Sequence, residues 1–314
     1  MTDTATERAV RLAAEPLREA GPRPGFASGT LTSLRDIADH RELMGFLVRR
    51  ELKSRYKDSA LGFFWSLIRP LAMLLIYYIA LGKFLGAARS IPDFAIFIYT
   101  GLTAWTLFNE IVTIGTASIV ANSGLVKKVY LPREVFPLSV VGSAIFNFFI
   151  QVGILLAATM AVGRFPTGTR WLYFPLSLTL LLVFATALAL LLSAVNVYLR
   201  DTQHFLELAL LAWFWVTPIV YAFMTIGRRP GGWFKYAWMA NPVTPIVLIF
   251  QRAIYARLDN PSIPVGSPGH EILPHWGMAA YVGYLGYSLA FGIIMFAIGI
   301  AVFGRSEANF AEEL

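Results

Sequence analysis

Long apolar runs dominate the chain and are separated by short polar connections. Six runs are long enough for a membrane span, since a helix needs about 20 apolar residues to cross roughly 30 Å of hydrocarbon. The predicted spans cover residues 61–82, 94–120, 136–162, 172–197, 205–226 and 278–303. This pattern predicts an all-α integral membrane protein with a six-span transmembrane domain at residues 59–305.

A further apolar stretch lies between the fifth and sixth predicted spans, at residues 231–257. It is shorter than a span and is interrupted by Asn241-Pro242 and by Pro245. Backbone that is not helical at membrane depth must be shielded by protein or face water. The stretch is therefore predicted to form two short re-entrant helices that pack against the bundle.

The region before the first span has an amphipathic pattern at residues 33–58. Apolar residues such as Met44, Leu47 and Leu52 recur at roughly helical spacing, and Arg and Lys occupy most of the remaining positions. A basic amphipathic helix of this kind suits the membrane interface, although a solvated helix leading into the first span is the alternative. Residues 1–32 are predicted to be a flexible cytoplasmic tail, and residues 306–314 a cytoplasmic C-terminal tail.

Composition and charge agree with a membrane protein and suggest its orientation. Hydrophobic residues make up 57% of the chain and charged residues 14%, against about 25% charged residues in soluble domains. With the N-terminus inside, twelve Lys and Arg residues are cytoplasmic and four lie in short outer loops. The segment 227–276 adds five more outside, but long segments carry less of the orientation signal. Both termini are therefore predicted to be cytoplasmic.

The motifs for several kinds of chemistry are missing from the sequence. Cysteine is absent, and no two of the four histidines have the spacing of a helical metal site. Neither a phosphate-binding GxxxxGK[ST] loop nor a GxGxxG or GxSxG motif occurs. Nucleic acid is not expected as a partner, because no basic domain outside the membrane is large enough to hold it. The chain is expected to offer a passage or a scaffold rather than catalytic groups, without a metal or cofactor of its own, and any energy that its work needs would come from a partner.

One carboxylate, Glu110, lies well inside the second predicted span. An ionisable residue in a span is expensive and is a functional candidate by default. The structural alternative is a hydrogen bond to a polar side chain of the third span, for which Asn147 and Gln151 are candidates. The sequence favours the structural alternative without excluding the functional one.

Two polar loops on the predicted cytoplasmic side carry apolar residues as well as charges. The first, at residues 122–139, contains the sequence KKVYLPRE, and the second, at residues 196–208, contains Arg200-Asp201. The charges fit the positive-inside rule or a helix cap, whereas exposed apolar residues in such loops favour a partner protein. The candidate partner contacts are Lys127, Lys128, Tyr130, Leu131, Arg133, Glu134, Arg200 and Asp201.

Aromatic residues make up 14% of the chain and allow two interpretations. Tryptophans near predicted span ends favour an interfacial belt, and these are Trp105, Trp171, Trp213, Trp215, Trp233, Trp238 and Trp276. Aromatic rings also suit a conduit for sugars, because they offer apolar contact without fixed hydrogen bonds. The candidate path residues are Tyr77, Tyr78 and Phe84 on the first span and Phe146, Phe148 and Phe149 on the third.

Several segments resemble, in order, the permeases of ATP-binding-cassette polysaccharide exporters of the O-antigen, teichoic-acid and galactan type. These segments are RRELKSRYKDSALGFFWSLIRPL (49–71), FIYTGLTAWTLF (97–108), NSGLVKKVYLPREVFPL (122–138), LSAVNVYLRDTQHFLEL (192–208), WFWVTPIVY (213–221) and NPVTPIVLIFQRAIY (241–255). The resemblance extends over about residues 33–305, and the ordered series is more specific than any one segment.

The resemblance implies a six-span subunit of the bacterial inner membrane that pairs with a second copy of itself. Two copies of a separate ATPase, which bind ATP and Mg, would drive lipid-linked polysaccharide from the cytoplasmic to the outer face. Residues 122–134 would be the first coupling helix, and residues 198–204 the second ATPase contact. Residues 33–58 would form the interface helix, and residues 231–257 the two re-entrant helices.

Some features leave alternatives open. Arg69 stands where similar permeases more often carry a neutral polar residue. Arg69 would contact the lipid pyrophosphate, and Arg55 is a second candidate for a contact with the lipid head group. The alternative for Arg69, which the sequence favours, is that its guanidinium group snorkels to the cytoplasmic interface. The rival functions are a permease for a small lipid or drug, a membrane-embedded enzyme acting on lipid-linked sugars, and a self-sufficient channel.

Overall fold

The computed structural model describes residues 41–56, 64–128, 131–227, 233–267, 269–306 and 310–314. Within these ranges the regular structure is helical apart from one isolated β-bridge between Asp259 and Glu271. The helices are α1 (Arg41–Tyr56), α2 (Phe64–Tyr77), α3 (Ala87–Ser90), α4 (Phe94–Ala121), α5 (Ser123–Val126), α6 (Val135–Ala161), α7 (Tyr173–Tyr198), α8 (Thr202–Val216), α9 (Phe223–Gly227), α10 (Trp233–Ala240), α11 (Val243–Ile254), α12 (Met278–Ser306) and α13 (Phe310–Glu313). A π-helix, Tyr78–Phe84, continues α2, and a 3₁₀-helix, Thr169–Leu172, precedes α7.

Five helical segments in the described ranges are long and apolar enough to cross a membrane. They are Leu67–Phe84, Phe94–Ala121, Val135–Ala161, Thr169–Tyr198 and Ala279–Ser306. They correspond to the first, second, third, fourth and sixth predicted spans. The all-α membrane fold is therefore confirmed at the level of these five segments.

The fifth predicted span, residues 205–226, is not one continuous helix. Helix α8 ends at Val216, residues 217–222 are irregular, and α9 begins at Phe223. Thr217 has extended backbone angles, φ −96° and ψ 132°, because Pro218 disfavours the helical conformation of the residue before it and has no N–H to donate. The predicted fifth span therefore contains a break that the sequence analysis did not predict.

The prediction of two short helices in residues 231–257 is confirmed within its described part. Helices α10 and α11 are separated by Asn241 and Pro242. Eleven of the twelve residues of α11 are buried, and Arg252 is the exception. Helix α11 packs against α4, α7 and α12, so it occupies the interior of the bundle.

Helix α7 is the central element, with α4 on one side and α12 on another. Two glycines allow the close approaches. A Cβ on Gly115 of α4 would lie 2.7 Å from the Ala189 side chain, and one on Gly299 of α12 would lie 2.9 Å from the Ala187 carbonyl oxygen. Small residues at helix contacts are the usual way in which membrane helices pack closely.

Helix α1 lies against α6, and its apolar face is the predicted one. Leu47 is buried, while Met44, Val48 and Leu52 are half-buried. The Val48 side chain fills the space above Gly142, where a Cβ would lie 2.7 Å away. The rest of the predicted helix, at residues 33–40 and 57–58, lies outside the described residues, as does the predicted tail at residues 1–32.

A second hydrophobic core, which we call the junction core, lies at the end of the bundle where α4 ends and α6 begins. It joins residues of α1, α4, α5, α6, α7, α12 and α13. Its buried members are Leu47, Ile119, Val126, Val135, Phe136, Leu190, Ala194, Val197, Ile300, Phe303 and Phe310.

The last residues of the chain are part of this core. A simple cytoplasmic tail was predicted at residues 306–314, but Ser306 belongs to α12 and the Phe310 side chain is 0% exposed. Leu314 packs against the same core. The sequence did not predict this packing, because a single Phe among polar residues has no periodicity to indicate it.

Candidate functional site

The first candidate partner-binding loop runs from Asn122 to Glu134 at the junction end. Its only helix in the described residues is the single turn α5, which Val126 anchors in the junction core. Asn122 is held from both sides. It donates to the Ser118 carbonyl oxygen at 2.7 Å and accepts a hydrogen bond from Arg50 of α1 at 2.5 Å.

The charged residues of this loop differ in exposure. Lys127 and Lys128 are exposed, and Leu131 and Arg133 are half-buried. Glu134 is only 3% exposed at the beginning of α6, so it does not belong to the accessible surface. Val129 and Tyr130 lie outside the described residues. The surface available to a partner is therefore predominantly basic.

The second candidate loop follows α7 at the same end of the bundle. Leu199, Arg200 and Asp201 are exposed, and α8 begins at Thr202. Tyr198 donates from its hydroxyl to the Ser306 carbonyl oxygen at 3.0 Å. This contact ties the end of α7 to the end of α12.

The candidate path aromatics fall into two separate sets. Tyr77 stacks on Phe214 with ring centroids 5.6 Å apart, while Tyr78 lies 6.5 Å from Phe94. The Phe84 side chain is 84% exposed. In the part of the chain that the structure describes, no ring contact joins these residues to Phe146, Phe148 or Phe149 of α6.

The exposure of the α6 rings varies. Phe146 and Phe149 are about half exposed, whereas Phe148 is buried against Phe174 and Phe250. Phe148 is thus part of the core within one chain. Phe146 and Phe149 remain candidates for contact with lipid, a glycan or another protein.

The two candidate lipid-contact arginines lie at the beginning of the membrane domain. Arg69 is exposed on α2, immediately before the buried Pro70. The backbone of Arg55 belongs to α1, but its side chain lies outside the description. A lipid contact stays a prediction for both.

Glu110 has the partner that the sequence indicated. Asn147 of α6 donates from Nδ2 to Glu110 Oε1 at 2.9 Å. Asn147 is 6% exposed and Gln151, the other candidate, is 4% exposed. The hydrogen bond joins α4 to α6 and gives the carboxylate a place in the packing of the bundle.

A hydrogen-bonded site at the two helix breaks was not foreseen from the sequence. Asn241, between α10 and α11, accepts from Trp213 Nε1 at 2.8 Å and from the Val243 N–H at 3.0 Å. It also donates to the Thr217 hydroxyl at 3.0 Å. One amide therefore joins the end of α8 to the beginning of α11.

Helices α11 and α12 complete the arrangement around these breaks. Gln251 of α11, which is 0% exposed, donates to the Pro218 carbonyl oxygen at 3.2 Å. Ser288 of α12 donates to the Pro242 carbonyl oxygen at 3.0 Å. The carbonyl groups of Pro218 and Pro242, which lie at the two breaks, thus have partners, as buried backbone groups require.

The tryptophans do not all form an interfacial belt. Trp105 is 7% exposed near the middle of α4, and its ring lies 5.4 Å from Phe108 and 5.6 Å from Phe214. Trp213 lies 5.4 Å from Phe108. These two rings pack inside the bundle rather than at the membrane interface. The only sequence signal for this position is the helix face of α4 and of α8 on which each tryptophan lies.

A polar cluster also lies at the end of the bundle opposite the junction core. Asp93 adopts a left-handed conformation, φ 50°, and contacts Arg257 at 2.6 Å and Arg164 at 3.4 Å. Tyr255 donates to the Pro92 carbonyl oxygen at 2.6 Å, and burial raises the pKa of its phenol above the ordinary value. The cluster joins the loops that follow α3, α6 and α11. The sequence analysis did not predict it, because its members are far apart in the chain.

One known family of membrane proteins matches the part of the chain that contains these elements. The family model described as ABC-2 type transporter matches residues 42–255, from α1 to the residue after α11. The chain belongs to the ABC-2 type transporter family. The match includes both candidate loops and both helix breaks, whereas α12 and α13 lie beyond it.

Curated ABC-2-type relatives agree with the match. The chain is 34% identical over 222 residues to the O-antigen export system permease protein RfbA of Myxococcus xanthus, covering 71% of this chain and 84% of that protein. It is 28% identical over 276 residues to an O-antigen export system permease protein RfbA of Klebsiella pneumoniae, covering 87% and 95%. It is 25% identical over 214 residues to the polysialic acid transport protein KpsM of Escherichia coli, covering 66% and 79%. The family identifies this chain as a multi-pass membrane permease.

The helix-break site generates a graded prediction for Asn241. Asn241→Leu removes every hydrogen bond of this amide, and we expect a loss of about 1–3 kcal/mol because buried partners are left unsatisfied. Asn241→Ser, which keeps an acceptor near the Val243 N–H, should lose less. Thermal unfolding of the detergent-solubilised protein measures both. Trp213→Phe is the matched control that removes a single donor, and equal stability of all variants would contradict the role of Asn241.

Proposed function

We propose that this chain is the transmembrane subunit of an ATP-driven exporter that moves lipid-linked polysaccharide from the cytoplasmic to the outer face of the bacterial inner membrane. The observation that carries the proposal is the 34% identity to an O-antigen export permease over 84% of that protein. A second polysaccharide transporter, KpsM, is also similar over most of its length.

The proposed topology has six spans with both termini in the cytoplasm. Helix α8, the irregular residues 217–222 and α9 together form the fifth span, and α10 and α11 are the two re-entrant helices. The buried position of α11 and the hydrogen bonds at Asn241 support a broken segment inside the bundle, since such backbone needs partners from the protein. Helix α1 lies in the cytoplasmic interface of the membrane.

The proposed partners are a second copy of this chain and two copies of a cytoplasmic ATPase. The sequence has no phosphate-binding loop, so ATP and Mg belong to the ATPase. Helix α2 supports the pairing of two copies, because its span is the least buried of the five, at 11%. Its exposed apolar residues are Ile68, Leu71, Met73, Leu75, Ile76 and Ile79.

The proposed passage runs along the interface of the two copies. The aromatic candidates for its wall are Tyr77 of α2 and Tyr78 and Phe84 of the π-helix that continues it. Phe146 and Phe149 of α6 are the alternatives. Arg55 and Arg69 are the proposed contacts for the lipid head group of the substrate. Each of these assignments depends on the proposed pairing of the two copies through α2.

The proposed mechanism is coupled rather than catalytic. The exposed Lys127, Lys128, Arg200 and Asp201, together with the half-buried Arg133, contact the ATPase at the junction end. The ATPase changes the equilibrium of the permease only if it binds the two permease states with different affinities. These loops are where that difference arises.

Depletion of this protein in the bacterium that encodes it tests the substrate class. We expect lipid-linked polysaccharide to accumulate on the cytoplasmic side of the membrane while surface polysaccharide decreases. Extraction of lipid-linked glycans and surface labelling measure the two pools. Restoration by the wild-type chain is the control, and unchanged pools after depletion would reject the proposal.

Charge reversal in the first loop tests the ATPase contact. For Lys128→Glu and Arg133→Glu we expect a loss of about 2 kcal/mol, or roughly thirtyfold in affinity for the ATPase, because a like charge is costly across a complementary interface. Binding of the purified ATPase to each variant measures the effect. Arg89→Glu, at the opposite end of the bundle, is the matched control. Wild-type binding and export by both loop variants would contradict the contact.

A further inference from the structure

The side chain of Phe310 in α13 contacts Arg133 of the first loop and Tyr198 at the end of α7, where the second loop begins. Its ring lies under the Arg133 guanidinium, with Cζ 5.8 Å from the ring centroid. Its centroid is also 6.1 Å from that of Tyr198, the residue before the second loop. A side chain near the C-terminus thus lies between two loops that are far apart in sequence.

Phe310 has a further ring contact, and its neighbour Tyr198 is hydrogen-bonded to the end of α12. The Phe310 ring meets Phe303 of α12 edge to face, at 5.4 Å and 88°. The Tyr198 hydroxyl donates to Ser306, the last residue of α12. Helix α13 has only four residues, and so short a helix at a chain end stays ordered only through tertiary contacts.

The junction core extends the same connection to the rest of the permease. Val126 of the first loop and Leu47 of α1 belong to the core that contains Phe310. Arg50 of α1 donates to Asn122 at the start of the first loop. The first loop is therefore held by α1 on one side and by the C-terminal segment on the other.

We propose that the C-terminal segment, residues 310–314, positions the two ATPase-contacting loops relative to each other, with Phe310 acting through Arg133. This inference rests on the proposed function. The aromatic face attracts the guanidinium and limits its directions, so that Arg133 is presented to the ATPase from a defined place. Because Tyr198 contacts the same ring, a displacement of one loop is passed to the other.

Export per ATP hydrolysed, measured for the complete permease–ATPase complex in proteoliposomes, tests the proposal. Phe310→Leu keeps an apolar side chain but removes the ring. We expect it to lower the ratio of glycan exported to ATP hydrolysed at least fivefold while the ATPase stays bound. Phe296→Leu is the matched control, because Phe296 of α12 packs against the same core, and its ratio should stay within twofold of wild type.

A double variant separates positioning from general packing. If Phe310 acts through Arg133, Phe310→Leu should lower the ratio no further in a protein that already carries Arg133→Gln. An unchanged ratio in Phe310→Leu, an equal loss in Phe296→Leu, or a further fivefold loss in the double variant would overturn the proposal.

A distance measurement tests the positioning even if no glycan is exported. The chain has no cysteine, so spin labels are attached only at Lys128→Cys and Arg200→Cys, one in each loop. Co-expression with an excess of unlabelled protein restricts the signal to pairs within one chain. We expect one narrow distance distribution that broadens with Phe310→Leu and is unchanged with Phe296→Leu. The same narrow distribution in Phe310→Leu would overturn the proposal, whereas absent export with a broadened distribution would count against the proposed function alone.

Discussion

The hydrogen bonds of Asn241 are the interaction on which the interior of this permease depends. A membrane helix can be broken only where its freed backbone groups find partners, and this chain has two breaks that lie against each other. Asn241 forms hydrogen bonds with Trp213, Thr217 and Val243. Gln251 donates to the carbonyl oxygen of Pro218, and Ser288 donates to that of Pro242. With these groups satisfied, α11 is able to lie buried among α4, α7 and α12.

The two ends of the bundle are organised by different forces. At the end that carries Asp93, charged and polar groups connect loops that follow α3, α6 and α11. At the junction end an apolar core connects α1, the first loop and the C-terminal residues. Lys127, Lys128 and Arg200 remain exposed beside this core. The proposed ATPase contact therefore combines loops that are packed on an apolar core with charges that a partner can reach.

The sequence predicted those parts that repeat along the chain and missed those that depend on single residues. Five of the six predicted spans, the α1 face and the pairing of Glu110 with Asn147 follow from hydrophobic periodicity or from polar residues in spans. The break at Thr217-Pro218 was hidden because the apolar run continues through it. Phe310 and the Asp93 cluster had no periodic signal, since their partners are brought close only by the fold. The buried position of Glu134 was missed for the same reason.

Reconstitution of the purified permease with its ATPase tests the central claim, that this chain is a passage driven by another protein. Lipid-linked polysaccharide is placed in proteoliposomes, and its appearance in the opposite leaflet is followed with a membrane-impermeant label. The account predicts movement that requires the ATPase, ATP and Mg together, and none with the permease alone. Movement of the glycan by the permease without the ATPase, or no movement with all components present, would contradict it.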